Sequence, residues 1–154
     1  METINDVSAK LNKPVLKEGS RGDAVKELQK LLKKYNTYTG AIDGEFGPIT
    51  KKGVIAFQHR VFLKQDGIVA DTTWRALFKG APVDMPILKK GSKGDLVKIV
   101  QNILKSTKDY NGAIDGEFAS KLEAAVKNLQ ERTKLPHDGI VEDRTWFELS
   151  KIPH

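Results

Sequence analysis

The chain has no cysteine, which excludes disulfides, thiol catalysis and thiolate metal sites together and leaves the redox compartment unconstrained. No apolar run approaches the roughly eighteen residues a membrane helix needs, so no membrane span is expected. Histidine is scarce: His59, His137 and His154 share no ligand spacing such as His-x-x-x-His, and no zinc site is expected. There is no Gly-x-Ser-x-Gly elbow, phosphate loop or dinucleotide fingerprint, so no cofactor is expected either. Met1-Glu2-Thr3-Ile4-Asn5-Asp6 has neither a basic stretch nor an apolar one, and no secretory leader is legible there.

What the chain does contain is charge, and its distribution matters more than its sum. The net charge is +6, yet residues 16–78 carry 11 basic and 7 acidic groups and residues 88–150 carry 11 and 10. Nucleic-acid binders concentrate positive charge on one element or face, so nucleic acid is not an expected partner. The Lys30, Lys33 and Lys34 cluster reads as a solvated helix face.

The organising stretch is Gly-Ala-Ile-Asp-Gly-Glu-Phe at 40–46, which returns letter for letter at 112–118. Around it, residues 16–78 align with 88–150 at a constant offset of 72 without a gap, with 31 identities in 63 positions. That is an internal duplication, so one architecture is read once and applied twice. The expected divisions are an N-terminal arm or short helix at 1–13, a first domain at 14–79, a linker at 80–87 and a second domain at 88–154. In the arm, Ile4, Val7 and Leu11 recur at helical spacing after Thr3 and Asp6. Pro82 and Pro86 mark the linker, whose hydrophobic residues predict that it lies against a domain.

Within the first copy, Ser20 and Asp23 predict a helix start. Val25, Leu28, Leu31, Leu32 and Tyr35 then recur every three or four residues, predicting a helix over 21–35; Ser92, Asp95, Val97, Val100, Ile103 and Leu104 repeat the pattern. After the corner, Pro48 suits a first helical position, and Ile49, Val54, Phe57 and Val61 are expected to form the buried face of a second helix. Gly53 inside it costs about 1 kcal/mol relative to alanine, which suggests close packing there. A second corner, Asp66-Gly67, leads into a third helix through Trp74, Leu77 and Phe78. Aspartate-glycine marks tight turns because glycine accepts positive φ and the carboxylate bonds the backbone just beyond. The expected fold class is all-α: two tandem three-helix domains of about 63 residues, each marginally stable alone.

These residues resemble the bacterial peptidoglycan-binding domain, the three-helix type often appended to cell-wall hydrolases. Gly19-Ser20-Arg21-Gly22, Val25 to Gln29, Asp43 to Thr50, Val54 to Gln58, Asp66-Gly67 and Thr73-Trp74-Arg75-Ala76-Leu77 match its pattern in order. The resemblance covers both copies, about four fifths of the chain. It implies non-catalytic binding of peptidoglycan or muropeptide fragments by two tandem modules. It also implies a cell-wall or periplasmic setting, and it admits a cell-wall enzyme acting in trans; a monomer is expected. The second copy departs from the pattern at Ala119-Ser120-Lys121-Leu122, where the first has Gly47-Pro48-Ile49-Thr50. Any ligand contact made by Gly47 or Thr50 would be lost there, and Ser120 with Glu123 would cap the helix.

Wall ligands call for aromatic faces and for donors to carboxylates and acetamido groups, and the N-terminus of the second helix offers unpaired N–H groups and a positive dipole end. The candidate ligand-binding residues are Tyr38, Phe46, Gly47, Thr50, Lys51 and Trp74 in the first copy and Tyr110, Phe118, Lys121 and Trp146 in the second. Against these stand plainer readings: Phe46 in the core, Thr50 as a local cap, and both tryptophans as core, given their helical spacing with Leu77. Tyr38 and Tyr110 are expected to be partly exposed. Two further functional readings remain open. A protein-interaction or scaffold module could keep the fold without the wall ligand, and Asp43 with Glu45 could form a glycosidase-like carboxylate pair, although turn chemistry explains that Asp better.

Overall fold

The computed structural model describes residues 12–154; the helix expected on Ile4, Val7 and Leu11 lies outside them. Six helices follow in order: α1 (Asp23–Lys34), α2 (Pro48–Arg60), α3 (Asp71–Lys79), α4 (Asp95–Ser106), α5 (Ser120–Arg132) and α6 (Asp143–Lys151). Among the described residues there is no strand, only isolated antiparallel bridges. The fold is all-α, with two tandem three-helix repeats. The chain divides into one compact unit ending at Asp84 and another spanning Met85–His154.

In the first unit Val25, Leu28 and Leu32 of α1 bury against Val54, Phe57 and Val61 at α2 and Trp74, Ala76 and Leu77 of α3. Complete burial of a Leu or Phe side chain contributes roughly 1.5–3 kcal/mol, and this cluster is the unit's main source of stability. Two bridges close the non-helical segments over it. Leu16 pairs with Val69 and Arg21 with Glu45, so each corner is stitched to the segment that precedes α1. Leu88 with Val141 and Lys93 with Glu117 repeat the arrangement in the second unit.

Trp74 closes the floor: its ring is fully buried and its indole N–H donates to the Pro14 carbonyl at 2.8 Å. Trp146 donates to Pro86 at the same distance. Residues 80–87 are shared between the units. Ala81 and Val83 are buried in the first, where the Arg75 guanidinium grips both Asp84 oxygens, at 3.1 and 2.6 Å, and Asp71 at 3.0 Å. Phe147 stands at the equivalent of Arg75 in the second unit.

Gly53 is where α2 passes the segment that follows α1. A Cβ there would lie 2.8 Å from the Thr37 carbonyl oxygen, so the residue trades helix propensity for a close backbone approach. Three sequence expectations are corrected. Ile49 is not on the buried face but 59% exposed. Ser20 does not cap α1, whose N-cap is Gly22; its hydroxyl instead accepts the Lys17 amide in the preceding turn. Ser120 lies inside α5, which starts from Ala119 without a side-chain cap.

Candidate functional site

Each unit carries a cleft at its first corner, and the two are built alike. The first, about 420 Å³, lies between Gly19–Arg21, the Tyr38–Ala41 loop, the Asp43–Phe46 corner and the start of α2 at Gly47–Thr50. The second, about 400 Å³, is lined by Tyr110, Gly112, Ala113, Asp115, Glu117 and Ala119–Leu122, all at the 72-residue offset.

Beneath each cleft sits a buried glutamine that sequence periodicity alone does not single out. Gln29 Oε1 accepts the Gly44 amide at 2.9 Å. Its Nε2 faces four acceptors: Asp43 Oδ1 at 3.0 Å, the Glu45 carbonyl and Thr50 Oγ1 at 3.1 Å, and the Tyr38 hydroxyl at 3.2 Å. One amide group thus ties α1 to the turn, to α2 and to the loop before the corner. Gln101 does the same for Gly116, Tyr110, Asp115 and Glu117, without a hydroxyl at Leu122. Gln58 and Gln130 clamp the second corners in the same way, through Gly67 with Asp66 and Thr73, and through Gly139 with Asp138 and Thr145. A sequence signal existed: glutamine recurs at all four positions, each followed by an aspartate-glycine pair.

The corner carboxylates belong to the backbone. Asp43 Oδ1 accepts the Glu45 amide at 3.0 Å, and this bond, with the Gln29 amide second, holds its pKa below the usual value. Asp115 is lowered chiefly by Gln101 and then by the Glu117 amide, and Asp66 chiefly by the Ile68 amide. A carboxyl lowered in the folded state adds stability that is present above its unfolded pKa, about 3.9, and is lost as pH falls through the folded value. Thermal melts are therefore expected to be level near neutrality and to drop below about pH 4. Asp43→Asn, which keeps an acceptor oxygen but no charge, should shallow that acid limb; an unchanged limb would show that these bonds do not govern it.

The structure places the ten candidate residues in four kinds of position. Tyr38 and Tyr110 are buried, not partly exposed. Each points its hydroxyl down to the Ala41 or Ala113 carbonyl, because the loop closes over it and Gly40 or Gly112 leaves room for the ring. They line their clefts from below, as do Phe46 and Thr50, both 2% exposed; Phe118, equally buried, is not part of the second cleft's lining. Trp74 and Trp146 are core residues whose faces meet other side chains rather than any cleft. Lys51 leaves the cleft altogether: its aliphatic chain lies over Gly67 at the second corner, with its ammonium 3.9 Å from Glu18.

Gly47 and Lys121 do stand at the cleft surface, joined by residues outside the ten candidates: Arg21, Ala41, Pro48 and Ile49. Gly47 is instructive. Its backbone is ordinary, φ −104 and ψ −167, and a Cβ would meet nothing within 4 Å, so the fold does not require glycine there. What its missing side chain leaves is open cleft. The helix it precedes has no side-chain cap and no acid in its first turn, so its leading amides lack both an intrahelical acceptor and a compensating charge.

Among the described residues there is no His, Cys, Asp or Glu cluster suited to a metal and no helix long and apolar enough to cross a membrane.

Comparison with known proteins gives one consistent result. The family described as "Putative peptidoglycan binding domain" matches residues 21–77 and 93–149. The chain is 43% identical over 67 residues to the zinc D-Ala-D-Ala carboxypeptidase of Streptomyces albus G, covering 42% of this chain and 26% of that protein. It is 29% identical over 152 residues to a probable N-acetylmuramoyl-L-alanine amidase of Bacillus licheniformis, covering 85% and 43%. The crystal structure of the SleB N-terminal domain matches 47% of this chain and 97% of its own, at 38% identity and a TM-score of 0.44. The chain spans less than two thirds of the length of the first curated relatives it matches.

Proposed function

We infer from the chain's membership of the peptidoglycan-binding domain family, to which both of its halves belong, that it binds bacterial cell-wall peptidoglycan without cleaving it. The clefts at 40–50 and 112–122 are the contact surfaces. The observation that carries this reading is the recurrence of one cleft, on the same glutamine-clamped corner, in both units. A polymer with repeating units is the ligand such duplication suits, since two sites on one chain raise the effective concentration of the second once the first is engaged.

The corner chemistry supports binding rather than cleavage by the Asp43 and Glu45 pair. A glycosidase acid needs a raised pKa, whereas Asp43 is lowered by the bonds that make it a turn residue, and Asp115 likewise. Cell-wall hydrolases among the relatives support the ligand class, and the region they share with this chain has the pattern of their binding module. Each relative is much longer than the match.

Sedimentation with purified insoluble murein at low salt tests the reading. The expected result is that the protein pellets with the wall; protein left wholly in the supernatant would overturn it. Gly47→Phe combined with Ala119→Phe should fill both clefts without disturbing the backbone, because Gly47 is open on its Cβ side and Ala119 is exposed. The double variant is expected to bind about tenfold more weakly, a loss of ~1.4 kcal/mol, with its melting temperature unchanged. Undiminished binding would move the site elsewhere on the surface.

A further inference from the structure

The two clefts differ in sequence at four consecutive positions, and the structure shows which of those differences a ligand can meet. Thr50 and Leu122 are 2% and 1% exposed, so that exchange is confined to the floor. The residues one place further along, Lys51 and Glu123, lie over Gly67 and Gly139 at the second corners. The surface exchange that alters charge is Ile49 for Lys121: Ile49 is 59% exposed, Lys121 is exposed, and each lines its cleft; Pro48 for Ser120, also exposed, leaves the charge unchanged.

The other charges of the clefts match. Asp43 and Asp115 are equivalent, and Glu45 and Glu117 are paired with Arg21 at 3.7 Å and Lys93 at 3.6 Å. After that pairing the first cleft keeps one uncompensated carboxylate, Asp43, beside the apolar lip of Pro48 and Ile49. In the second, the Lys121 ammonium, which makes no ion pair among the described residues, offsets Asp115 and remains available to a ligand. The first turn of α5 contains Glu123, which weakens the helix dipole there, but its aliphatic stem lies over the other corner while Lys121 is in the cleft.

We propose that residues 49 and 121 set ligand choice, so that the second cleft selects the carboxylate-bearing stem peptide and the first selects uncharged glycan. This rests on the clefts being wall-binding sites, as inferred above. Uncapped leading amides are common to both clefts; beyond them, like-charge repulsion from Asp43 works against a carboxylate in the first cleft, while the branched face of Ile49 suits the apolar side of a sugar ring or an acetamido methyl. In the second, a solvent-facing ammonium attracts a carboxylate and is screened by salt.

The experiment is amide shift mapping on the whole chain with two probes, a stem tetrapeptide and an uncharged N-acetylglucosamine oligosaccharide. It follows Ala41, Glu45 and residue 49 in one cleft and Ala113, Glu117 and residue 121 in the other. The tetrapeptide is expected to titrate the second cleft at lower concentration than the first, and the glycan the reverse. Lys121→Ile should weaken tetrapeptide binding about fivefold, the size of a good exposed ion pair, and Ile49→Lys should confer a similar gain on the first cleft, both effects fading at high salt. If the clefts respond but Lys121→Ile leaves tetrapeptide affinity unchanged, this inference falls and the wall-binding reading stands. If neither probe shifts either cleft, both fall together.

Discussion

Trp74→Ala is expected to remove about 3–5 kcal/mol from the first unit, the range for deleting a fully buried aromatic ring. A unit of this size has total stability of the same order, so the variant should lose the native signals of Val54, Phe57 and Leu77, which share the cluster. The loss combines the apolar area of the ring, its stacking on Phe78 at 5.8 Å and the indole bond to Pro14. Trp74→Phe separates packing from ligand contact. It keeps most of the ring but leaves the Pro14 carbonyl without its donor, at about 1 kcal/mol. With the ring 0% exposed, wall binding by the folded Trp74→Phe protein should equal that of the parent. Weakened binding at unchanged stability would return Trp74 to the ligand site.

Gln29→Ala is the second large effect. The side chain is fully buried, and its removal leaves the Gly44 amide without its acceptor and the Thr50 hydroxyl and Tyr38 without their shared donor. Stranding buried polar groups costs about 1–3 kcal/mol each, so a loss of about 3 kcal/mol in chemical denaturation is expected, together with loss of binding in the first cleft. Gln29→Glu refines the test. It keeps an oxygen for Gly44 but turns a second carboxylate oxygen towards Asp43 Oδ1, where the amide now donates at 3.0 Å. The destabilisation should therefore be greatest at neutral pH and ease on acidification as one of the two carboxylates takes a proton. A cost near zero for Gln29→Ala would mean that water replaces the amide and that the clamp does not organise the corner.

The same clamp explains why the candidate site was only partly legible. Periodicity marks which residues of a long helix face inward, but at a helix's first turn it constrains little, since three or four residues point in as many directions. Which of Pro48, Ile49, Thr50 and Lys51 meets solvent depends on how α2 docks beside the corner. Docking put Thr50 under Gln29, sent Lys51 across Gly67 and left Ile49 outside. Tyr38 was misjudged for a related reason: a loop tyrosine is expected at the surface unless something below accepts its hydroxyl, and here Gln29 and the Ala41 carbonyl both engage it.

By itself the sequence determined the duplication and its register, the six helices of the described residues, the four aspartate-glycine corners and the family. Each of these is written in local pattern: apolar spacing, glycine where φ is positive, as at Gly44 with φ +76, and a carboxylate placed to accept an amide two residues on. Only the tertiary structure decided which side chains a ligand can reach, because that is set by contacts between residues far apart in the chain, such as Gln29 with Thr50 or Trp74 with Pro14. Local pattern built the corner, and long-range packing turned all but a few of its residues inward.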